Sequence, residues 1–167
     1  SGKSITSIAF FLHYILFNKD VSVALLANKL ATARELLGRL QMAYEHLPKW
    51  LQQGVEVWNK GNIELENGSR IIAAATSSSA IRGRSFNILF LDEFAFVPME
   101  LAEEFFNSVY PTISSGQSTK VIIVSTPQGM NHFYKLWVDA EEGRNSYVPI
   151  EVHWSEVPGR DEKWKAE

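Results

Sequence analysis

The sequence contains no cysteine, which excludes disulfides and thiolate-held metals but assigns no compartment, because a reducing cytosol permits cysteine without requiring it. It has no apolar run near the ~20 residues a membrane-spanning helix needs. Its start also lacks the charged, apolar, small-residue order of a secretory signal. The expectation is a soluble, intracellular protein without membrane contact. A basic excess is missing too: 16 Lys and Arg against 19 Asp and Glu leave a net charge of −3. Dedicated nucleic-acid modules concentrate Lys and Arg to neutralise phosphate, so any DNA contact here is expected to be local or shared with other parts. Internal repeats and low-complexity tracts are absent. What remains is a chain of 167 residues, 46% apolar and 21% charged, suited to one globular domain with a buried core.

The chain opens on Ser1-Gly2-Lys3-Ser4 and runs straight into an apolar segment, while Pro158 to Lys163 is polar and turn-rich. The expectation is an excerpt at both ends, with a domain over 1–157 and an exposed tail or linker over 158–167.

Apolar stretches of strand length alternate with stretches of helical period, the pattern of helices packed on a largely parallel sheet, so the fold class is α/β. Ile5 to Phe17 reads as a buried helix and Val21 to Ala27 as a strand covered on both faces. Asn28 is a candidate N-cap for a helix from Lys29 to Leu47, closed by Pro48, with Glu35 and Arg39 four apart on its exposed face. Three short alternating segments follow, Val55–Trp58, Ile63–Glu66 and Arg70–Ala74, joined by Asn59-Lys60-Gly61 and Asn67-Gly68-Ser69. Asn-Gly is a strong hairpin signal, so this is an antiparallel insertion in a parallel architecture. After the polar loop from Thr76 to Ser79 come strands at Ile88–Leu91 and Val121–Val124, helices at Met99–Tyr110 and His132–Glu142, and a last strand near Tyr147–Val152.

Three motifs carry chemistry. Gly2-Lys3-Ser4 stands directly ahead of a helix, as the end of a phosphate-binding loop does. Gly lets the backbone approach phosphates, Lys reaches the β- and γ-phosphates as a point charge, and Ser offers its hydroxyl to Mg²⁺. An ordinary helix start is the rival. Ile88-Leu89-Phe90-Leu91-Asp92-Glu93 sets two carboxylates at the end of a buried strand. In phosphoryl transfer the first, Asp92, holds Mg²⁺ and the second, Glu93, polarises the attacking water as general base. The rival is capping of the next segment. Val121-Ile122-Ile123-Val124 then emits Ser125-Thr126-Pro127 at the strand end where ligands sit in open α/β sheets. A hydroxyl there can sense the γ-phosphate, or the three residues can be a turn and no more.

Nearly the whole chain resembles the large terminase subunit of tailed bacteriophages and prophages. The resemblance rests on Trp58-Asn59-Lys60-Gly61-Asn62-Ile63-Glu64-Leu65 with Asn67-Gly68-Ser69, and on Ile81-Arg82-Gly83. It extends to Leu91-Asp92-Glu93-Phe94-Ala95-Phe96 and to Ser125 through Tyr134. It implies a P-loop NTPase fold of the ASCE type and an ATPase that drives double-stranded DNA into a procapsid. It also implies that Gly2, Lys3 and Ser4 end Walker A, that Asp92 and Glu93 form Walker B, and that Ser125, Thr126 and Pro127 are the coupling motif. Arg82 falls where some members carry a trans-acting arginine finger, although Arg84 competes for that role and both suit a solvated loop or a DNA contact. The implied cofactors are ATP and Mg²⁺. The implied partners are double-stranded DNA, the portal protein, a small terminase subunit and further copies in a ring, in the host cytoplasm at the procapsid portal.

By the same resemblance the first part of Walker A and the adenine motif belong upstream, and a metal-dependent nuclease belongs beyond the tail. A superfamily 2 helicase or translocase and a non-catalytic nucleotide switch are the alternatives. His13, His46, His132 and His153 are dispersed without ligand spacing, so no zinc is expected. The five tryptophans are expected mostly to pack against the sheet.

Overall fold

The computed structural model describes residues 2–76, 81, 83–114 and 119–160. The first helix, α1 (Lys3–Phe17), buries Ile8, Phe11, Leu12, Ile15 and Leu16, a stripe at the spacing one helical face requires, and leaves Ile5 and Phe17 exposed. It stops where Asn18 folds back, its backbone N–H and its Nδ2 both donating to the Tyr14 carbonyl. Strand β1 (Ser22–Ala27) is buried along its whole length. Helix α2 (Leu30–Glu45) turns Ala33, Leu36, Leu37, Leu40 and Tyr44 to the same core, and Glu35 pairs with Arg39 at 2.6 Å on its outer face.

Strands β2 (Val55–Trp58), β3 (Asn62–Leu65) and β4 (Arg70–Ala75) form the expected antiparallel meander, but β4 then lies parallel to β1 and so belongs to both parts of the sheet. With β5 (Ile88–Leu91) and β6 (Lys120–Ile123) the order across the sheet is β2-β3-β4-β1-β5-β6, the last four mutually parallel. Alternation along the central strands divides the core. Val23, Leu25, Ile71, Ile88 and Phe90 face α1 and α2, whereas Ala24, Leu26, Leu89 and Leu91 face Phe94, Val97 and Phe105 on the other side. Phe11 and Phe90 meet edge to face at 5.1 Å in the first layer. Helices α3 (Met99–Ser114) and α4 (His132–Glu141) complete the second.

Three expectations are corrected. Asn28 does not cap α2; Lys29 takes the N-cap position, and the Asn28 amide is spent on the carbonyl of Phe96, next to the neighbouring strand end. Helix α3 passes Pro111 and ends at Ser114, since proline keeps a helical φ and Pro111 lies on an exposed side, where a lost helical bond costs least. No strand forms near Tyr147–Val152. Backbone there has no ladder partner among the described residues, and Val148, Ile150 and Val152 are exposed. Of the tryptophans, Trp58 packs on Tyr44 at 5.1 Å, but Trp50 is 84% exposed in the short turn after Pro48. Residues 77–79, Arg82, Trp164 and most of the polar tail lie outside the described residues. Among the described residues no helix is long and apolar enough to cross a membrane.

Candidate active site

The sheet places the chemistry at one edge. Because β4, β1, β5 and β6 are parallel, the residues after β1, β4, β5 and β6 emerge together: Asn28, Thr76, Asp92 with Glu93, and Val124 with Ser125. Helix α1 joins β1 through only a short turn and so runs back against it. Its 15 residues span about 22 Å. The 6 residues of β1 span about 20 Å. The N-terminus of α1 therefore returns level with the carboxyl ends of the strands, carrying Gly2, Lys3 and Ser4 to the edge where Asp92 stands. Remote hairpin residues hold it there. Asn67 donates through Nδ2 to the carbonyls of Ile15 and Asn18 at 2.8 and 3.2 Å, and Ser69 Oγ donates to Asn18 at 2.6 Å. The Asn-Gly-Ser turn is thus the C-terminal cap of the helix whose other end bears Lys3.

Gly2 takes the N-cap position with φ 85°, no side chain among the described residues caps the helix, and no acid lies in its first turn. The leading N–H groups of α1 and its positive dipole end are consequently left to an anion. Lys3 is exposed and Ser4 half-buried.

Asp92 is buried, and its backbone N–H continues the sheet by donating to Leu26 at 2.8 Å. Burial and the neighbouring Glu93 charge hold its carboxyl above the usual range, against the Glu93 N–H and the positive charges of Lys3 and Arg39, which favour the ionised form. An acid in that state gains from a cation. Among the described residues no cluster of three or more His, Asp or Glu can hold a metal alone. One carboxylate and one serine hydroxyl suit Mg²⁺ that keeps waters and takes its other ligands from phosphates, so the residues present fit a magnesium-nucleotide.

Glu93 is exposed and adopts φ 49°, ψ 41°, a left-handed conformation uncommon outside glycine, asparagine and aspartate. It reverses the chain into a 3₁₀ turn over Phe94–Phe96, which the ends of β6 and β1 fasten. Phe94 N–H donates to Val124 at 3.3 Å, Ala95 N–H to Ser125 Oγ at 3.0 Å, Asn131 Nδ2 to the Ala95 carbonyl at 2.6 Å, and Asn28 Nδ2 to the Phe96 carbonyl at 3.2 Å. His132 lies against Phe94 and Phe106, with ring centroids 6.1 and 4.9 Å away.

Residues 1–163 match the family described as terminase large subunit, T4likevirus-type, N-terminal. The chain belongs to that family. Its fold is similar to that of the Thermus phage P74-26 large terminase ATPase domain, with a TM-score of 0.69 at 21% identity over 83% of this chain and 60% of that one. The HK97 bacteriophage large terminase gives 0.70 at 16% identity over 92% of this chain and 35% of that one. A large terminase from a thermophilic bacteriophage, in complex with ADP, gives 0.61 at 17% identity over 86% and 36%. This terminase chain therefore spans about 60% of the ATPase domain and about a third of the longer terminases it matches. Identities this low speak for a shared α/β fold.

Within the terminase chain, the edge gathers Gly2, Lys3, Ser4, Asp92, Glu93 and Ser125. Thr126 and Pro127 follow in the exposed loop, with Ser125 rather than Thr126 touching the turn after Glu93. Arg82 lies outside the described residues; its neighbours are a buried Ile81 and a Gly83 with φ 76°. No motif in the sequence marks Asn131 as part of the site. An asparagine just before an apolar-periodic run does signal a helix start, which is one of the two things Asn131 does.

Proposed function

We propose that the protein is the ATP-hydrolysing motor of a phage DNA-packaging terminase, moving double-stranded DNA into a procapsid. Support comes first from the family, then from the thermophilic-phage terminase, solved with ADP and with ATP-gamma-S. The observation that carries the chemistry is the buried Asp92 at the edge where the N-terminus of α1 brings Lys3.

Lys3 and the N-terminus of α1 bind the phosphates. Ser4 and Asp92 would hold Mg²⁺, which would supply neutralisation of phosphate charge. Glu93 takes the proton of a water whose oxygen attacks the γ-phosphorus as the bond to the β–γ bridging oxygen breaks. Arg82 of a neighbouring copy in a ring offsets the charge on the transferring group. Ser125-Thr126-Pro127 reports loss of the γ-phosphate, Thr126 from the exposed side and Ser125 through its hydrogen bond to Ala95. DNA is gripped through its phosphates, independently of sequence and sensitively to salt. The work takes place in the host cytoplasm at the portal protein, with a small terminase subunit selecting the start. A nuclease domain elsewhere in the protein cuts the DNA.

The test is Mg-ATP turnover by the full-length protein and its Glu93→Gln variant, each with and without duplex DNA. Turnover lost in the variant while nucleotide binding survives supports the motor. Binding without turnover in both proteins replaces it with a nucleotide switch.

A further inference from the structure

Asn131 is chemically richer than its place in the chain demands. As N-cap of α4 it needs an oxygen, and its Oδ1 accepts the Tyr134 N–H at 3.1 Å. Aspartate, serine or threonine would serve that purpose. An amide alone adds two donors, and both are used: Nδ2 donates to the Ala95 carbonyl at 2.6 Å and to the Gln128 carbonyl at 2.9 Å. The side chain faces one N–H and two carbonyls, so its orientation is unambiguous.

The Ala95 bond acts on Glu93. Together with the Ser125 hydroxyl it holds both sides of residue 95, the N–H at 3.0 Å and the carbonyl at 2.6 Å, two positions after an acid kept in left-handed backbone. Such a conformation persists in a non-glycine residue only where its surroundings over-determine it. Three of the four bonds that fasten the turn come from the β6 to α4 connection, and Asn131 is the one that also belongs to the helix. Displacement of the 125–131 loop or of α4 is thereby carried to Ala95, two residues after the acid.

We propose that Asn131 is a positioning residue for Glu93, clamping the 94–96 turn to the N-terminus of α4 so that the direction of the acid follows the loop beyond β6. The proposal rests on the reading of Glu93 as general base.

Two variants separate the clamp from the cap. Asn131→Ser keeps a good capping oxygen without charge and loses reach to Ala95, while Asn131→Asp keeps the cap and loses the donors. In the full-length protein both are expected to hold the wild-type Tm within a few degrees and to bind ATP with unchanged affinity. Their kcat is expected to fall on the order of 10- to 100-fold, as misplacement of a reacting group does. If either variant folds and turns over ATP as the wild type does, Asn131 is a helix cap and the proposal is wrong. Loss of kcat that tracks loss of Tm, or is accompanied by equal loss of ATP binding, overturns it too. Absence of turnover in the wild type instead removes the motor reading, and the clamp with it.

Discussion

Ser125 Oγ accepts the Ala95 N–H at 3.0 Å and donates to the Thr126 carbonyl at 3.0 Å, so one hydroxyl joins the end of β6 to the turn that carries Glu93. The neighbouring Thr126 is exposed. Ser125→Ala leaves a well-buried amide without its acceptor and is expected to cost about 1–3 kcal/mol of stability together with much of the turnover. Thr126→Ala should stay within about 0.5 kcal/mol of wild type and act instead on the ATP consumed per length of DNA moved. Urea unfolding and a translocation assay separate the two. Full coupling in Thr126→Ala would remove its relay role.

Glu93 is held at φ 49°, and left-handed backbone costs an L-residue roughly 1–2 kcal/mol. Asparagine tolerates that region better. Glu93→Asn is therefore expected to unfold at higher denaturant, by up to about 1 kcal/mol, while turnover falls at least about 100-fold for want of the base. Stability and activity are then expected to move in opposite directions, as where backbone strain serves function. A less stable Glu93→Asn would show that the backbone there is not strained.

Burial and Glu93 raise the pKa of Asp92, so the ionised form is penalised in the folded protein. A raised acid contributes stability that is fully present below its ordinary pKa of 3.8 and is lost as pH rises through the folded value. Wild type should thus melt a few degrees below Asp92→Asn at pH 7 to 8, with the gap closing in acid. Mg²⁺ with nucleotide should raise the Tm of the wild type and leave the variant nearly unmoved. Thermal melts across pH decide it; a constant gap would mean that Asp92 is ionised at no cost.

Much of this was legible because the signals were local. The stripe from Ile8 to Leu16 gives α1, the Asn67-Gly68 turn gives the hairpin, and the apolar run ending in Asp92-Glu93 gives β5 to the residue. What escaped depended on distant partners. Asn28 looked like a cap because nothing in its neighbourhood shows that Phe96 needs a donor, and Tyr147–Val152 looked like a strand because alternation does not reveal whether an edge is available. The left-handed turn at Glu93 was hidden for the same reason: its supports lie after β6 and β1. Sequence shows two adjacent acids at a strand end, and tertiary contacts accompany the left-handed backbone of the second.

His132 tests that aiming through pH. Its ring packs between Phe94 and Phe106, and burial lowers its pKa from 6.5, helped by Lys135 and opposed by Glu103. A depressed histidine contributes stability that is present above its ordinary pKa and lost as pH falls through the folded value, because the imidazolium must then sit against two phenyl rings without full hydration. His132→Gln cannot acquire that charge. The Tm of wild type minus that of His132→Gln should be constant above pH 7 and shrink steadily from about pH 6 downward. Since Phe94 directly follows Glu93, ATP turnover of the wild type should fall over the same interval more steeply than that of the variant. A Tm difference that stays flat down to pH 5 would mean that His132 carries its charge without strain on the turn.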